Sequence, residues 1–359
     1  TKDMKRSFIV AALLILMSLS ASAQKTQQNY VIGFYNLENL FDIYDDPVKN
    51  DNEFLPEGKN KWTQAKYEKK LHNMAKVIRA MADNNKRWHT ILGISEIENR
   101  LVIEDLVSQP EIADANYEIV HYDSPDRRGV DVALLYKPDQ FTYLDSESIP
   151  FDFNSDIDFS DTDTSYFKTR DILMVHGLIA GEHFAFYVAH LPSRVGGKGG
   201  NLRSRGAEII YNHSRGMEAK YPGIKIVAMG DMNDNPTDDS MAKYLHGQER
   251  LENVTPTEFY SPYISMLKAG YGSLCYQGVW SIYDLELVNY NLAHAPNGGL
   301  KIQPVTKNHG KEYYGVVFKR PWMTTQKGQY KGYPFRTFSN GAFVGGYSDH
   351  YPTYIVIGK

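Results

Sequence analysis

The sequence contains a single cysteine, no apolar stretch long enough to span a bilayer comfortably and no excess of basic side chains. One cysteine, Cys275, cannot form an internal disulfide, so the fold must be stabilised by its core, and we expect Cys275 to be buried and inert. The 43 acidic residues outnumber the 39 basic ones, which excludes a protein that binds nucleic acid over its whole surface. The composition, 42% hydrophobic and 23% charged, is typical of a globular protein.

The first 23 residues have the three parts of a secretory signal peptide. The motif MKR is a short basic region, residues 8–19 are mostly apolar, and the motif ASA at 21–23 fits a small-residue cleavage site. No stop-transfer pattern follows, which argues against a retained membrane anchor. We therefore expect export to the periplasm or the extracellular space, with a start-site artefact at residues 1–3. Cleavage would remove three of the basic residues and one acidic residue and leave a formal charge of −6 on residues 24–359.

Strand-like and helix-like segments alternate along residues 24–359 without a low-complexity linker or an internal repeat. Apolar spacing predicts a helix over 63–84 with Thr63 as its cap, and another helix over 201–220. Short apolar runs predict strands at 30–36, 90–96, 130–136, 172–180, 183–190, 226–230, 281–288 and 351–358. Residues 145–164 and 291–332 are expected to be surface excursions. The pattern indicates one domain of buried sheets covered by helices.

Polar side chains recur where the predicted strands end. The run IVAMG ends at Gly230 and is followed by Asp231 and Asn233, whose side chains would share one face of an extended segment. The next two residues, Asp234 and Asn235, are expected to form a turn. Other near-strand segments also carry a carboxylate, amide or imidazole: Asn36, Glu96, His190, Asp284, Asp349 and His350. Such groups can converge on one face of a sheet. Oxygen donors of this kind favour Mg²⁺ or Mn²⁺, and the Cys and His pairs suited to zinc are absent.

Five motifs in chain order resemble one known family. The motifs are FYNLEN, GISEIEN, VAHLPSR, GDMND and YSDHYP. Together they resemble the endonuclease/exonuclease/phosphatase superfamily, which includes DNase I, apurinic endonucleases, neutral sphingomyelinases and inositol polyphosphate 5-phosphatases. The resemblance covers about residues 30–358. It implies an α/β protein with a four-layer α/β/β/α sandwich and two central, mainly antiparallel sheets.

The resemblance also implies a metal site. Asn36 and Glu96 look like its residues, with Glu96 as the primary ligand and Asp349 assisting. Glu38 lies two residues after Asn36, where some relatives carry a second acidic group.

The implied catalytic residues come from the remaining motifs. His190 resembles the histidine that contacts or protonates the phosphate. Asp231 matches the aspartate that positions or activates the water, and Asn233 matches its transition-state partner. His350 resembles the imidazole at the attacked phosphate, and Asp284 its orienting carboxylate. Family members differ over which group is the base.

Two segments rich in basic residues could bind the phosphates of a substrate. They supply the following cations: Arg127, Arg128, Arg194, Lys198, Arg203 and Arg205. Arg127, Arg128 and Arg194 are the predicted substrate-binding residues, because the guanidinium group suits bidentate phosphate contact. Ordinary solvated charge is the alternative interpretation.

These residues predict an exported, metal-dependent phosphoesterase that cleaves phosphodiester bonds through an activated water, and we expect a monomer. DNA or RNA is the leading substrate. A sphingomyelinase-like or inositol-phosphate activity is an alternative, for which Trp322 and Met323 could form an exposed apolar loop. A binding protein that has lost catalysis is another alternative. Four residues present together argue against it: Glu96, Asp231, Asn233 and His350.

The signal peptide gives the first testable expectation. Cleavage after Ala23 would leave Gln24 as the first residue of the exported protein. N-terminal sequencing of the native protein checks this, and a chain that still begins at Met4 would contradict it.

Overall fold

The computed structural model describes residues 28–195, 199–308 and 310–359. The predicted signal peptide, residues 1–23, and Lys198 lie outside these ranges, so both interpretations stay predictions. Within the described ranges, no helix has the length and apolar character needed to cross a membrane.

The first central sheet is built around β1, and strands are numbered along the chain. Its seven strands in the described chain are β1 (Tyr30–Leu40), β2 (Ile91–Ile97), β3 (Glu118–His121), β4 (Asp131–Tyr136), β14 (Lys301–Gln303), β17 (Gly315–Val317) and β20 (Thr353–Gly358). Their order is β14-β20-β1-β2-β4-β3, with β17 also beside β20. The β1–β2 pair is parallel and the other pairs are antiparallel.

The second central sheet also has seven strands in the described chain. They are β5 (Phe141–Ile149), β6 (Ile172–Ile179), β7 (Glu182–His190), β8 (Lys225–Asp231), β9 (Gly247–Gln248), β10 (Phe259–Tyr260) and β13 (Asp284–Asn289). Their order is β5-β6-β7-β8-β13-β10-β9. The β7–β8 and β9–β10 pairs are parallel and the others are antiparallel.

Helices and short hairpins complete the described fold. The helices are α1 (Gln64–Asn85), α2 (Arg100–Val107), α3 (Gly200–Lys220), α4 (Tyr263–Lys268) and α5 (Tyr290–His294). The hairpins join β11 (Leu274–Tyr276) to β12 (Val279–Ser281), β15 (Thr306–Asn308) to β16 (Lys311–Tyr313) and β18 (Phe338–Ser339) to β19 (Ala342–Phe343). Thr63 stands at the N-cap of α1 as predicted, but its side chain makes no capping hydrogen bond.

Hydrophobic clusters separate four layers. One cluster lies between the first sheet and helices α1 and α2, a second lies between the two sheets, and a third lies between the second sheet and α3. Strand β1 contributes Val31 and Tyr35 to the first cluster and Ile32 and Phe34 to the second. Because both faces of β1 are buried, residues 30–35 form a continuous apolar run rather than an alternating pattern. The predicted four-layer sandwich with two mainly antiparallel sheets is confirmed.

Three expectations about individual segments are wrong. The predicted excursion at 145–164 begins as part of β5, a polar edge strand that is held by backbone pairing to β6 and therefore lacks an apolar signature. The excursion at 291–332 contributes α5 and the edge strands β14 and β17. Cys275 is only half-buried, because it lies in the surface hairpin β11–β12.

His89 is a fully buried histidine beside the first sheet. Its ring packs edge-on against Tyr354, with ring centroids 5.7 Å apart, and against the backbone of Gly33, where an added Cβ would lie 2.7 Å from the ring. Neither ring nitrogen has a hydrogen-bond partner. Burial lowers the pKa of His89 to about 3.

This histidine makes the protein sensitive to acid. Between pH 6.5 and 3 the unfolded chain binds a proton at His89 that the folded chain excludes, so the free energy of unfolding falls as pH decreases, by up to about 1.4 kcal/mol per pH unit. We expect His89→Leu to lose this contribution. Denaturant unfolding of both proteins at several pH values measures it, and parallel pH dependences would contradict the assignment.

Candidate active site

The candidate site lies where the inner faces of the two sheets end. His190, Asp231 and Asp284 are in phase with the residues of β7, β8 and β13 that fill the core between the sheets. In the register of the second sheet, Asp231 pairs with His190 on one side and with Asp284 on the other. Three polar groups are thus held side by side by backbone hydrogen bonds.

Strand β1 adds an amide from the opposite sheet. Asn36 donates from Nδ2 to Asp231 Oδ2 at 2.9 Å and lies 3.3 Å from Glu96 Oε1. Its Oδ1 accepts a hydrogen bond from the backbone N–H of Glu38 at 2.8 Å. The amide oxygen is therefore turned away from the site, and Asn36 ties two carboxylates together.

Glu96 reaches the site because its strand is distorted. The register of β2 shifts between Ser95 and Ile97, and Glu96 has a φ of 58°. Ile94 faces α1, so a regular strand would point Glu96 outward as well. The bulge instead directs its carboxylate towards Asn36 and Asp231.

His350 carries a positive charge held by two aspartates. Its Nδ1 lies 2.8 Å from Asp284 Oδ2, which also accepts a hydrogen bond from Ser273 Oγ at 2.5 Å. Its Nε2 lies 3.8 Å from Asp231 Oδ2. Burial opposes the charge, but Asp284 and Asp231 raise the pKa of His350 well above its ordinary value.

His190 has the opposite protonation state to His350. Burial, together with the charges of Arg170, Arg128 and His350, lowers the pKa of His190 well below its ordinary value, so the ring is neutral. Its Nε2 lies 3.7 Å from both Glu96 Oε1 and Asp231 Oδ2. The site therefore contains one neutral and one charged imidazole.

Arg170 is a residue that sequence reasoning missed. It is buried, and it donates from Nε to the carbonyl of His190 at 3.0 Å and from Nη2 to the carbonyl of Leu191 at 2.9 Å. Its Nη1 lies 3.1 Å from Asp126 Oδ2. Asn233, with a φ of 51°, donates from Nδ2 to the same Leu191 carbonyl at 2.9 Å. Both side chains fix the end of β7, and no motif in the sequence marks Arg170.

The predicted substrate-binding arginines take different positions. Arg127 is exposed and donates to the carbonyl of Tyr166 at 2.6 Å. Arg128 is exposed, and its charge acts on His190, so it flanks that side of the site. Arg194 donates from Nη1 to two aspartates, at 3.0 and 2.9 Å.

The aspartates that bind Arg194 are Asp234 and Asp238. Asp234 is buried and also accepts from Arg203 and Ser240, so it anchors α3 and does more than form a turn. Arg203 and Arg205 are both buried in ion pairs rather than placed at a rim.

A divalent cation fits the donors present. Glu96, His190 and Asp231 bring one ligand atom each to within 4.8 Å of one another. Within the described chain, no Lys or Arg forms an ion pair with either carboxylate, and such oxygens suit a hard cation. Of the predicted metal residues, Glu96 belongs to this group, whereas the Asn36 oxygen binds a backbone N–H and Asp349 pairs with an arginine.

Comparison with known proteins agrees with this geometry. The profile of the Endonuclease/Exonuclease/phosphatase family matches residues 31–359. No curated protein sequence gives a significant match.

Solved structures share the fold at low sequence identity. A Bacteroides thetaiotaomicron endonuclease/exonuclease/phosphatase family protein has a TM-score of 0.55 at 13% identity, covering 93% of this chain and 96% of its own. D. rerio TDP2 complexed with single-strand DNA product has a TM-score of 0.52 at 12% identity, covering 92% and 100%. The human Nocturnin catalytic domain with bound sulfate has a TM-score of 0.52 at 13% identity, covering 92% and 95%. With the profile match over nearly all the described residues, the chain belongs to the endonuclease/exonuclease/phosphatase family.

Proposed function

We propose that this chain is a metal-dependent phosphodiesterase that acts on DNA or RNA. The observation that carries the proposal is the pair of imidazoles on either side of Asp231, one neutral and one charged, with Nε2 atoms 3.7 and 3.8 Å from Asp231 Oδ2. Two imidazoles with opposite protonation states in one site indicate that each has a separate role in the reaction.

Asp231 is suited to orient the attacking water and accept its proton. Burial, opposed by the charge of His350, raises the pKa of Asp231 to about 7. A base works best when its pKa lies near the working pH. Its Oδ1 accepts from the backbone N–H of Asn233 at 3.0 Å, which fixes the carboxylate.

The charged His350 would stabilise negative charge on the phosphoryl oxygens as water attacks. Asp284 keeps this imidazolium charged and oriented. His190 presents a neutral ring on the opposite side of Asp231. A divalent cation beside Glu96 and Asp231 would supply Lewis-acid polarisation of the phosphate.

Nucleic acid is the substrate class with the most support. A protein of similar fold, D. rerio TDP2, has been crystallised with single-strand DNA product. The exposed Arg127 and Arg128 lie on one short loop, and Arg128 is close enough to influence His190. Local cations of this kind can bind phosphates although the chain is acidic overall.

The lipid alternative loses its sequence support. Met323 is buried, and Trp322 packs on Tyr347 with ring centroids 4.9 Å apart, with Lys76 over the indole. These side chains therefore do not form an exposed apolar loop. Turnover of DNA, RNA, sphingomyelin, inositol phosphates and bis-p-nitrophenyl phosphate by purified residues 24–359 tests the proposal directly.

We expect activity with Mg²⁺ or Mn²⁺ and its loss in EDTA, because Glu96 and Asp231, the two carboxylates of the candidate metal group, lack a Lys or Arg partner in the described chain. Readdition of each metal after dialysis provides the control. Full turnover in chelator would refute the metal mechanism.

We expect His350→Ala and Asp231→Asn each to lower kcat by on the order of 10²-fold or more, since one stabilises charge and the other accepts a proton. The double variant should be far less than multiplicatively worse, because the two groups act as a unit. Steady-state kinetics and melting temperatures of the same preparations measure this. Folded variants with wild-type kcat would show that the site is elsewhere.

A further inference from the structure

Arg336 lies at the rim of the site, on the segment directly before strand β18. It donates from Nε to Glu38 Oε1 and from Nη2 to Asp349 Oδ2, both at 3.1 Å. Its side chain is 50% exposed, and Nη1 has no partner among the described residues. A guanidinium has five N–H groups in a fixed plane, so this one keeps donors free on its solvent side.

The loop that carries Arg336 is fixed from beneath. The backbone N–H of Thr337 donates to Glu38 Oε2 at 2.7 Å. Lys70, fully buried in α1, donates to Thr337 Oγ1 at 2.8 Å and to the carbonyl of Tyr347 at 2.6 Å. The guanidinium is therefore held in place before any ligand arrives, which lowers the entropic cost of binding.

Contacts connect Arg336 with the catalytic groups. Asp349, which pairs with Arg336, has its Oδ1 3.9 Å from His350 Nε2. The charge of Glu96 is among those that act on Arg336. The guanidinium therefore lies one side chain away from His350, through Asp349, and within electrostatic range of Glu96.

Other cations near the site have different surroundings. Lys70 and Arg170 are buried and donate their hydrogen bonds to oxygens of the protein. Arg194 is bound to two aspartates of another loop. Arg128 flanks the His190 side, whereas Arg336 is half-exposed and lies beside Asp349.

A phosphate entering this site meets several carboxylates. They are Glu38, Glu96, Asp231, Asp284 and Asp349. An anionic ligand needs fixed positive charge there, and a planar guanidinium matches two phosphate oxygens better than an ammonium group does.

We propose that Arg336 binds the non-bridging oxygens of the substrate's phosphate and that it is a substrate-binding residue. The inference rests on the proposed phosphoesterase function. No family motif quoted above contains Arg336, which lies thirteen positions before Asp349.

The test compares Arg336→Met and Arg336→Lys with Arg250→Met, a control that removes the same charge from an exposed Arg–Glu pair away from the site. We expect Arg336→Met to raise KM for bis-p-nitrophenyl phosphate by about 10-fold or more, with kcat changed less than about threefold. Arg336→Lys should restore part of the loss, and the control should leave KM unchanged. Inhibition by orthophosphate should weaken in parallel.

Two outcomes overturn the proposal. An unchanged KM in folded Arg336 variants would show that the guanidinium does not touch substrate. A fall in kcat with unchanged KM and unchanged phosphate inhibition would show that Arg336 only positions Asp349 and His350. Melting temperatures identify variants that fail to fold. If Arg336→Met does not fold, the KM of Arg336→Lys tests the proposal instead.

Calorimetric titration with orthophosphate separates this inference from the function on which it rests. If wild-type protein hydrolyses no phosphoester but loses phosphate binding in Arg336→Met, the proposed function fails and the binding site stands. If hydrolysis is observed and phosphate binding is the same in all variants, the function stands and Arg336 has no binding role.

Discussion

The register of β7, β8 and β13 is the constraint on which the site depends. It places His190, Asp231 and Asp284 in one row through backbone hydrogen bonds, before any side-chain contact is made. A slip of one residue would turn these side chains to the opposite face of the sheet. The apolar residues between the sheets oppose such a slip, since Val188 and Met229 would leave the core with them.

Local backbone conformation places the remaining side chains of the site, which the strand register alone does not position. Glu38, Glu96 and Asn233 all have positive φ, at 49°, 58° and 51°, which is uncommon outside glycine. Each lies within two residues of the end of a strand, where a regular extended backbone would direct the side chain elsewhere. Strain of this kind persists where the surrounding contacts determine the conformation, and here those contacts include Asn36 and the carbonyl of Leu191.

Electrostatic interactions then give the two histidines of the site different protonation states. His190 and His350 are both buried and both within 3.8 Å of Asp231. His350 also contacts Asp284, which raises its pKa, whereas burial, together with the charges of Arg170 and Arg128, lowers the pKa of His190. The direct contact with Asp284 therefore separates the protonation states of the two histidines.

The sequence alone determined the order of the motifs, the apolar strands that end in polar residues and the family. Those signals are local, and strands buried on both faces produce them directly. The tertiary structure decided the rest. Asn36 ties carboxylates together instead of presenting its oxygen, and the partners of Arg336 and Arg170 come from distant segments. Hydrogen-bond partners and pKa shifts depend on burial and on neighbours brought together by folding, and a linear sequence does not contain those distances.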